Sequence, residues 1–256
     1  MNNLPHRPRK SLGQNFLQDP NIIRKIITHI NPVKDERIVE IGPGTGALTH
    51  SLANQCKRLT LIELDEKLFD LLQEEYAQTG NVVVIHADVL KTDWNEFLPA
   101  CKFVGNLPYN ISSQILFKLY SHAKDVNEAV FMVQKEFARR LVAETSTKDY
   151  GIMTVLTRLY GDAEILFHIP PTVFFPKPRV TSSLVRIHLR PDRYENIDDK
   201  IFFHQIVRTA FNKRRKTLRN SLKDLIKGRD VLGFDLSRRA EELPFSDYQQ
   251  LYNILK

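Results

Sequence analysis

The sequence predicts an α/β fold: a sheet of seven strands followed by a small helical C-terminal domain. Three observations carry this. Short β-branched runs alternate with helical periodicity as far as residue 190. A glycine-rich turn, Gly42-Pro43-Gly44-Thr45-Gly46, follows the first of these runs. Beyond Arg190 the period-two runs stop and apolar residues recur at helical spacing.

The elements follow in order. A first helix is expected from Pro20, with Asp19 as its N-cap and the proline at the first helical position, where its missing N–H is not needed. Strands are expected at 37–41, 59–63, 82–86, 103–106, 129–134, 164–169 and 184–189, each a short apolar run. Further helices are expected to begin near Gly46, Asp65, Ser112, Lys135 and Tyr150. The last two strands are joined by a proline-rich connection, Pro170 to Pro178, so they are not a simple β-α-β repeat. An antiparallel pair at the end of the sheet is expected instead. Pro191 to Asp199 is charged and turn-like. After it, Ile206, Val207, Ala210 and Phe211, then Leu218, Leu222, Leu225 and Ile226, predict helices to the end. The boundary is placed near 190, giving domains 1–190 and 191–256, the second too short for a generous core of its own.

Charge narrows the partners. The net charge is +7, yet the window from Gln205 to Arg229 alone holds nine Lys/Arg against one acid, Asp224. A stripe that dense points to a polyanion such as RNA. Cys56 and Cys101 lie in no metal-ligand spacing, which suggests reduced thiols and no metal site. No apolar run approaches membrane-spanning length, and the basic N-terminus lacks a signal peptide's apolar segment. A soluble, cytoplasmic protein with no membrane partner is expected.

Chemistry gathers at strand ends. Gly42, Gly44 and Ala47 fit a dinucleotide loop, and Glu63, ending the next strand, suits ribose hydroxyls. The third glycine, Gly46, and the preceding Glu40 are more typical of a loop for S-adenosylmethionine (AdoMet). Asp88 ends the third strand, where a carboxylate serves either an adenine amine or a turn. Asn106-Leu107-Pro108-Tyr109 ends the fourth. There an amide oxygen of Asn106 and the carbonyl of Leu107 suit the two hydrogens of an exocyclic amine, and Tyr109 offers a stacking face. Four strand ends in succession make one site.

These residues resemble a known family over nearly the whole chain. Lys10-Ser11-Leu12-Gly13-Gln14-Asn15-Phe16-Leu17, with residues 40–49, 106–112, 174–185 and 211–222, resembles the ribosomal RNA adenine dimethyltransferases. Leu107 separates the motif from the Asn-Pro-Pro-Tyr form of DNA adenine methyltransferases. Gly13-Gln14-Asn15 and the 211–222 block favour the small-subunit branch over the large-subunit resistance enzymes.

The resemblance implies a class I (Rossmann-like) methyltransferase sheet using AdoMet and no metal. It implies dimethylation of N6 on two adjacent adenosines in a hairpin loop near the 3′ end of small-subunit (16S) rRNA, late in 30S assembly. It further implies that Asn15 and Leu17 enclose the donor, Gly42 lines it, Glu63 holds its ribose and Asp88 meets its adenine. Asn106 lies between donor and target. Phe174 is the aromatic wall facing Tyr109, and Phe175 is assigned to the core. RNA contacts are expected from Arg7, Arg9 and Lys10, and from Lys213, Arg214, Arg215, Lys216, Arg219 and Lys223. A monomer acting on the immature 30S particle is expected. Two other readings stay open: a nicotinamide-dependent oxidoreductase and a non-catalytic assembly factor.

Overall fold

The computed structural model describes residues 8–98, 101–213 and 215–256. It divides into two units, Met1–Ala138 with Glu164–Leu189, and Arg139–Ala163 with Arg190–Lys256.

The first unit carries the sheet. Its strands are β1 (Phe16–Leu17), β2 (Arg37–Ile41), β3 (Arg58–Glu63), β4 (Val82–His86), β5 (Cys101–Asn106), β6 (Val126–Gln134), β7 (Gly161–Ile169, which starts in the second unit), β8 (Phe174–Phe175) and β9 (Ser182–Leu189). Seven of them form one sheet in the order β4-β3-β2-β5-β6-β9-β7. The pairs β2–β3, β3–β4, β2–β5 and β5–β6 are parallel, and β9 turns antiparallel to β6. All seven expected strands are present. The proline-rich link delivers β9 between β6 and β7, which is why the pattern stops being β-α-β there. Strand β2 is fully buried after its first residue, as parallel strands covered on both faces are.

Helices of this unit are α1 (Pro20–Ile30), α2 (Thr49–Leu52), α3 (Glu66–Glu75), α4 (Ser112–Ser121) and the start of α5 (Lys135–Val142). Helix α1 begins as expected, Asp19 accepting hydrogen bonds from the N–H groups of Asn21 and Ile22 at 2.8 and 3.0 Å. It buries Ile26 and Ile30.

The second unit is helical: α6 (Ile152–Tyr160), α7 (Pro191–Glu195), α8 (Lys200–Phe211), α9 (Leu218–Ser221), α10 (Lys223–Ile226) and α11 (Phe245–Leu255). One division falls at 189/190, and residues 139–163 group with the C-terminal helices rather than with the sheet. Local bonds explain this. The buried Tyr150 donates its hydroxyl hydrogen to the Leu243 carbonyl at 2.6 Å, and the Ser146 N–H donates to Glu241 at 2.7 Å. That borrowed segment enlarges a core built on Phe203, Ile206, Leu218, Tyr248 and Leu251. The tail is also less helical than expected, since α8 ends at Phe211 and a six-residue connection precedes α9. No helix among the described residues is long and apolar enough to cross a membrane.

Candidate active site

The site lies where the strand order reverses. From β2 the chain builds outward to β3 and β4, then returns to place β5 on the other side of β2. Loops leaving β2 and β5 therefore part in opposite directions and open a crevice at the carboxyl edge of the sheet. Ile41 pairs with Gly105, so Gly42 and Asn106 leave the sheet side by side. Gly105 permits this spacing: a Cβ there would stand 2.4 Å from the Ile41 carbonyl oxygen.

A cavity of about 280 Å³ fills the crevice. Asn15, Leu17, Gly42, Glu63, Asp88, Asn106, Leu107 and Tyr109 all line it, so the structure brings together every donor-site residue expected from the sequence. Gly44 has a left-handed φ of 60°, and a Cβ there would meet the Phe16 ring at 3.1 Å. The glycine is required by dihedral and by packing at once.

Glu63 is buried, and its carboxylate accepts hydrogen bonds from the N–H groups of Gly44 (3.1 Å), Leu64 (2.9 Å) and Asp65 (2.8 Å). Burial raises its pKa, opposed by those three backbone bonds. The result is a rigid acceptor beside the glycine loop, suited to a diol. Glu40 lines the same cavity, and burial pushes its carboxyl up to about 7, opposed by the hydrogen bond that Thr49 Oγ1 donates at 2.7 Å. Asp88 is a turn residue, its Oδ1 accepting the Leu90 N–H at 2.9 Å, and it also lines the cavity.

The N-terminal segment is tied across the cavity. Gln14 Nε2 donates to Asp65 at 3.1 Å, Arg9 pairs with Asp65 at 3.3 Å, and Asn106 Nδ2 donates to the Asn15 carbonyl at 2.8 Å. The last bond decides the orientation of Asn106. With its amide nitrogen committed to Asn15, its oxygen is left as the free acceptor. The Leu107 N–H donates to Met132 at 3.1 Å, while its carbonyl accepts no bond among the described residues. The next carbonyl, that of Pro108, is occupied by the Ser112 hydroxyl at 3.0 Å. Tyr109 is fixed by a 2.6 Å hydrogen bond between its hydroxyl and Ser182 Oγ, and burial raises its pKa.

Two expectations need correction. Phe174 does not line the cavity; it is 4% exposed and packs in the core cluster with Leu17, Met132 and Leu184. Phe175, assigned to the core, is 42% exposed. The register decides this. In the β1–β8 ladder Leu17 opposes Phe174 and Phe16 opposes Phe175, and period-two alternation sends the two phenylalanines to opposite faces.

Of the cations expected to meet RNA, Arg7 and Arg214 lie outside the described residues. Lys10 opens a short 3-10 turn, and Arg9 is partly engaged by Asp65. Lys213, Arg215, Lys216, Arg219 and Lys223 are all exposed, on the α8–α9 connection and the two short helices after it. Sequence reasoning missed Gly105, Asp65 and Ser182 as supports of the site. Only Gly105 left a signal, a glycine closing a strand just before the Asn106 motif. No group of three His, Cys, Asp or Glu among the described residues is placed to hold a metal.

Comparison with known proteins agrees with this geometry. The family described as ribosomal RNA adenine dimethylase matches residues 5–256. The chain is 42% identical over 252 residues to Ribosomal RNA small subunit methyltransferase A of Aromatoleum aromaticum, covering 98% of this chain and 95% of that one. It is 39% identical to the protein of the same name from Bacillus thuringiensis, covering 96% and 91%. Among solved structures, a dimethyladenosine transferase from Plasmodium falciparum superposes with a TM-score of 0.79 at 25% identity, covering 92% of this chain and 95% of that one. The 23S rRNA methyltransferase ErmE does so at 0.70 and 25%, covering 94% and 99%. The glycine loop is thus that of an AdoMet enzyme, and the nicotinamide reading falls. The chain belongs to the ribosomal RNA adenine dimethylase family, with the small-subunit methyltransferases as its relatives.

Proposed function

We propose that this chain dimethylates the N6 amines of two adjacent adenosines in a hairpin loop near the 3′ end of 16S rRNA, on the immature 30S subunit late in assembly. The observation that carries the reading is the Asn106 amide at the crevice, whose nitrogen is committed to Asn15 at 2.8 Å so that its oxygen is left as an acceptor. The relatives named as small-subunit methyltransferases support the choice of RNA.

The residues divide the work as follows. Glu63 takes the ribose hydroxyls of AdoMet, Asp88 its adenine amine, and Gly42, Asn15 and Leu17 close around it. When bound, AdoMet supplies a methyl group made electrophilic by its sulfonium. Asn106 Oδ1 and the Leu107 carbonyl accept the two amine hydrogens of a flipped adenine, which localises the nitrogen lone pair for attack. Tyr109, its hydroxyl anchored on Ser182, presents a fixed ring for the base, a contact of about 1–3 kcal/mol. Most of the acceleration comes from holding nitrogen, methyl carbon and sulfur in line. The methylated amine loses its proton to water readily, so no strong base is required. A monomethylated amine keeps one hydrogen and needs only one acceptor, so the same pair serves both transfers.

RNA is held through its phosphates by the exposed Lys213, Arg215, Lys216, Arg219 and Lys223, with Arg7, Lys10 and Arg214 assigned the same role from the sequence and Arg9 sharing it with its Asp65 pair. The protein acts as a monomer. The test is transfer of labelled methyl from AdoMet to unmethylated small and, separately, large subunits. Dimethyladenosine in small-subunit RNA, lost in Asn106→Ala, is expected. Label only in large-subunit RNA would refute the substrate assignment.

A further inference from the structure

Phe175 is the one exposed Phe, Tyr or Trp among the described residues, and the catalytic reading leaves it without a task. It stands at the head of a regular pattern. Along 174–179 the chain alternates Phe174 buried, Phe175 exposed, Pro176 half-buried, Lys177 exposed, Pro178 buried and Arg179 exposed. The strand ends at Phe175 and the chain bends at Pro176 and again at Arg179 and Val180, so Phe175, Lys177 and Arg179 reach solvent from a short connection between β8 and β9. The prolines beside Lys177 restrict the backbone, so the display is preorganised rather than adopted on binding. Neither cation pairs with a carboxylate among the described residues.

Both ends of this segment are pinned at the cavity. Phe175 opposes Phe16 in the β1–β8 ladder, and the Phe16 ring lines the cavity against Gly44. Residues 176–181 then lead to Ser182, whose hydroxyl holds Tyr109. An exposed ring, followed by two cations that pair with no carboxylate among the described residues, thus runs between the glycine loop and the tyrosine to which the proposed function assigns the base. Aromatic faces with interleaved positive charge are how single-stranded nucleic acid is gripped without sequence readout.

We propose that this edge binds the RNA strand beside the flipped adenine, Phe175 stacking on the neighbouring nucleotide and Lys177 and Arg179 holding its phosphates. The proposal rests on the methyltransferase reading above. It gives Phe175 a positioning role: a neighbour stacked outside the cavity fixes which base of the strand enters it.

The experiment uses the full chain and the small-subunit hairpin RNA carrying 2-aminopurine at the nucleotide beside the target. Wild type should quench its fluorescence by stacking. Phe175→Ala should abolish the quench and raise KM for RNA by about five- to a hundredfold, with AdoMet affinity unchanged. Phe175→Trp should restore both, which a structural role for the phenylalanine would not produce. Lys177→Gln with Arg179→Gln should make the slope of log affinity against log salt shallower by about 1.4, the value for two phosphate contacts on a single strand. An active wild type whose variants match it in quench, KM and salt slope would overturn the proposal alone. A wild type that neither binds nor methylates the RNA would overturn the methyltransferase reading and this proposal together.

Discussion

Replacing Gly105 with alanine tests whether the crevice is built by strand spacing. The added Cβ would lie 2.4 Å from the Ile41 carbonyl oxygen, and 3.3 Å from the Ile41 nitrogen and carbonyl carbon. All three atoms are backbone, so no side chain can swing aside. Restoring ordinary contact at 3.4 Å opens the β2–β5 spacing by about 1 Å. Ladder hydrogen bonds of roughly 2.9 Å then stretch beyond the useful limit of about 3.2 Å. Overpacking costs about 1–3 kcal/mol and each lost bond about 1 kcal/mol, so a destabilisation of roughly 3 kcal/mol is expected. For a chain of this size that lowers Tm by about 6–12 °C. Gly42 and Asn106 also move apart, so AdoMet should bind at least about tenfold more weakly. Calorimetry gives the first quantity and isothermal titration the second. A Tm within about 2 °C of wild type with unchanged AdoMet affinity would refute the steric account.

Glu40 gives a pH signature. Its folded pKa of about 7 lies above the ordinary 4.5, so the native state holds a proton that the unfolded chain releases. Stability is therefore greatest below pH 4.5 for this group and falls as pH rises toward 7, by about 3 kcal/mol at most. Glu40→Gln should flatten that fall in Tm measured from pH 5 to 8, and equal slopes in both proteins would count against it. Ser182→Ala removes the 2.6 Å anchor of Tyr109. It should raise KM for RNA about two- to tenfold while AdoMet titrations stay unchanged; a matching loss of AdoMet affinity would mean the site had collapsed. Changing Lys213, Arg215, Lys216 and Arg219 to glutamine should weaken RNA binding and make its salt dependence shallower by about 2.8 in log–log slope, with AdoMet affinity within twofold. Equal weakening of both ligands would assign the segment a structural role.

The long strands were legible because their apolar runs and flanking turns need no knowledge of partners. Asp19-Pro20 fixed the start of α1 for the same local reason. What failed was whatever depends on a distant partner. The β1–β8 ladder has two residues per strand, too few for any periodicity to show. Two consecutive phenylalanines announce that one faces in and one out, but only pairing with Phe16 and Leu17 says which. The allegiance of 139–163 was hidden because amphipathic spacing marks an apolar face without naming what covers it. At the site, the convergence of the Gly42 loop, Glu63, Asp88 and Asn106 on one cavity was readable from their places at successive strand ends. Their supports, Asp65 and Ser182, act through hydrogen bonds to residues far away in sequence and left no trace.

The pairing of Ile41 with Gly105 makes catalysis a gauge of strand alignment. A slip of one residue between β2 and β5 would carry Asn106 about 3.3 Å along the sheet and turn its side chain to the opposite face. On the role proposed for Asn106, such an error should abolish activity, because the amide would be turned away from the cavity. If Asn106 has that role, methyl transfer by any variant reports that these two central strands have closed in their native alignment. Enzyme turnover becomes a sensitive reporter on refolding, more discriminating than spectroscopic helix or sheet content, which a slipped ladder would leave nearly unchanged.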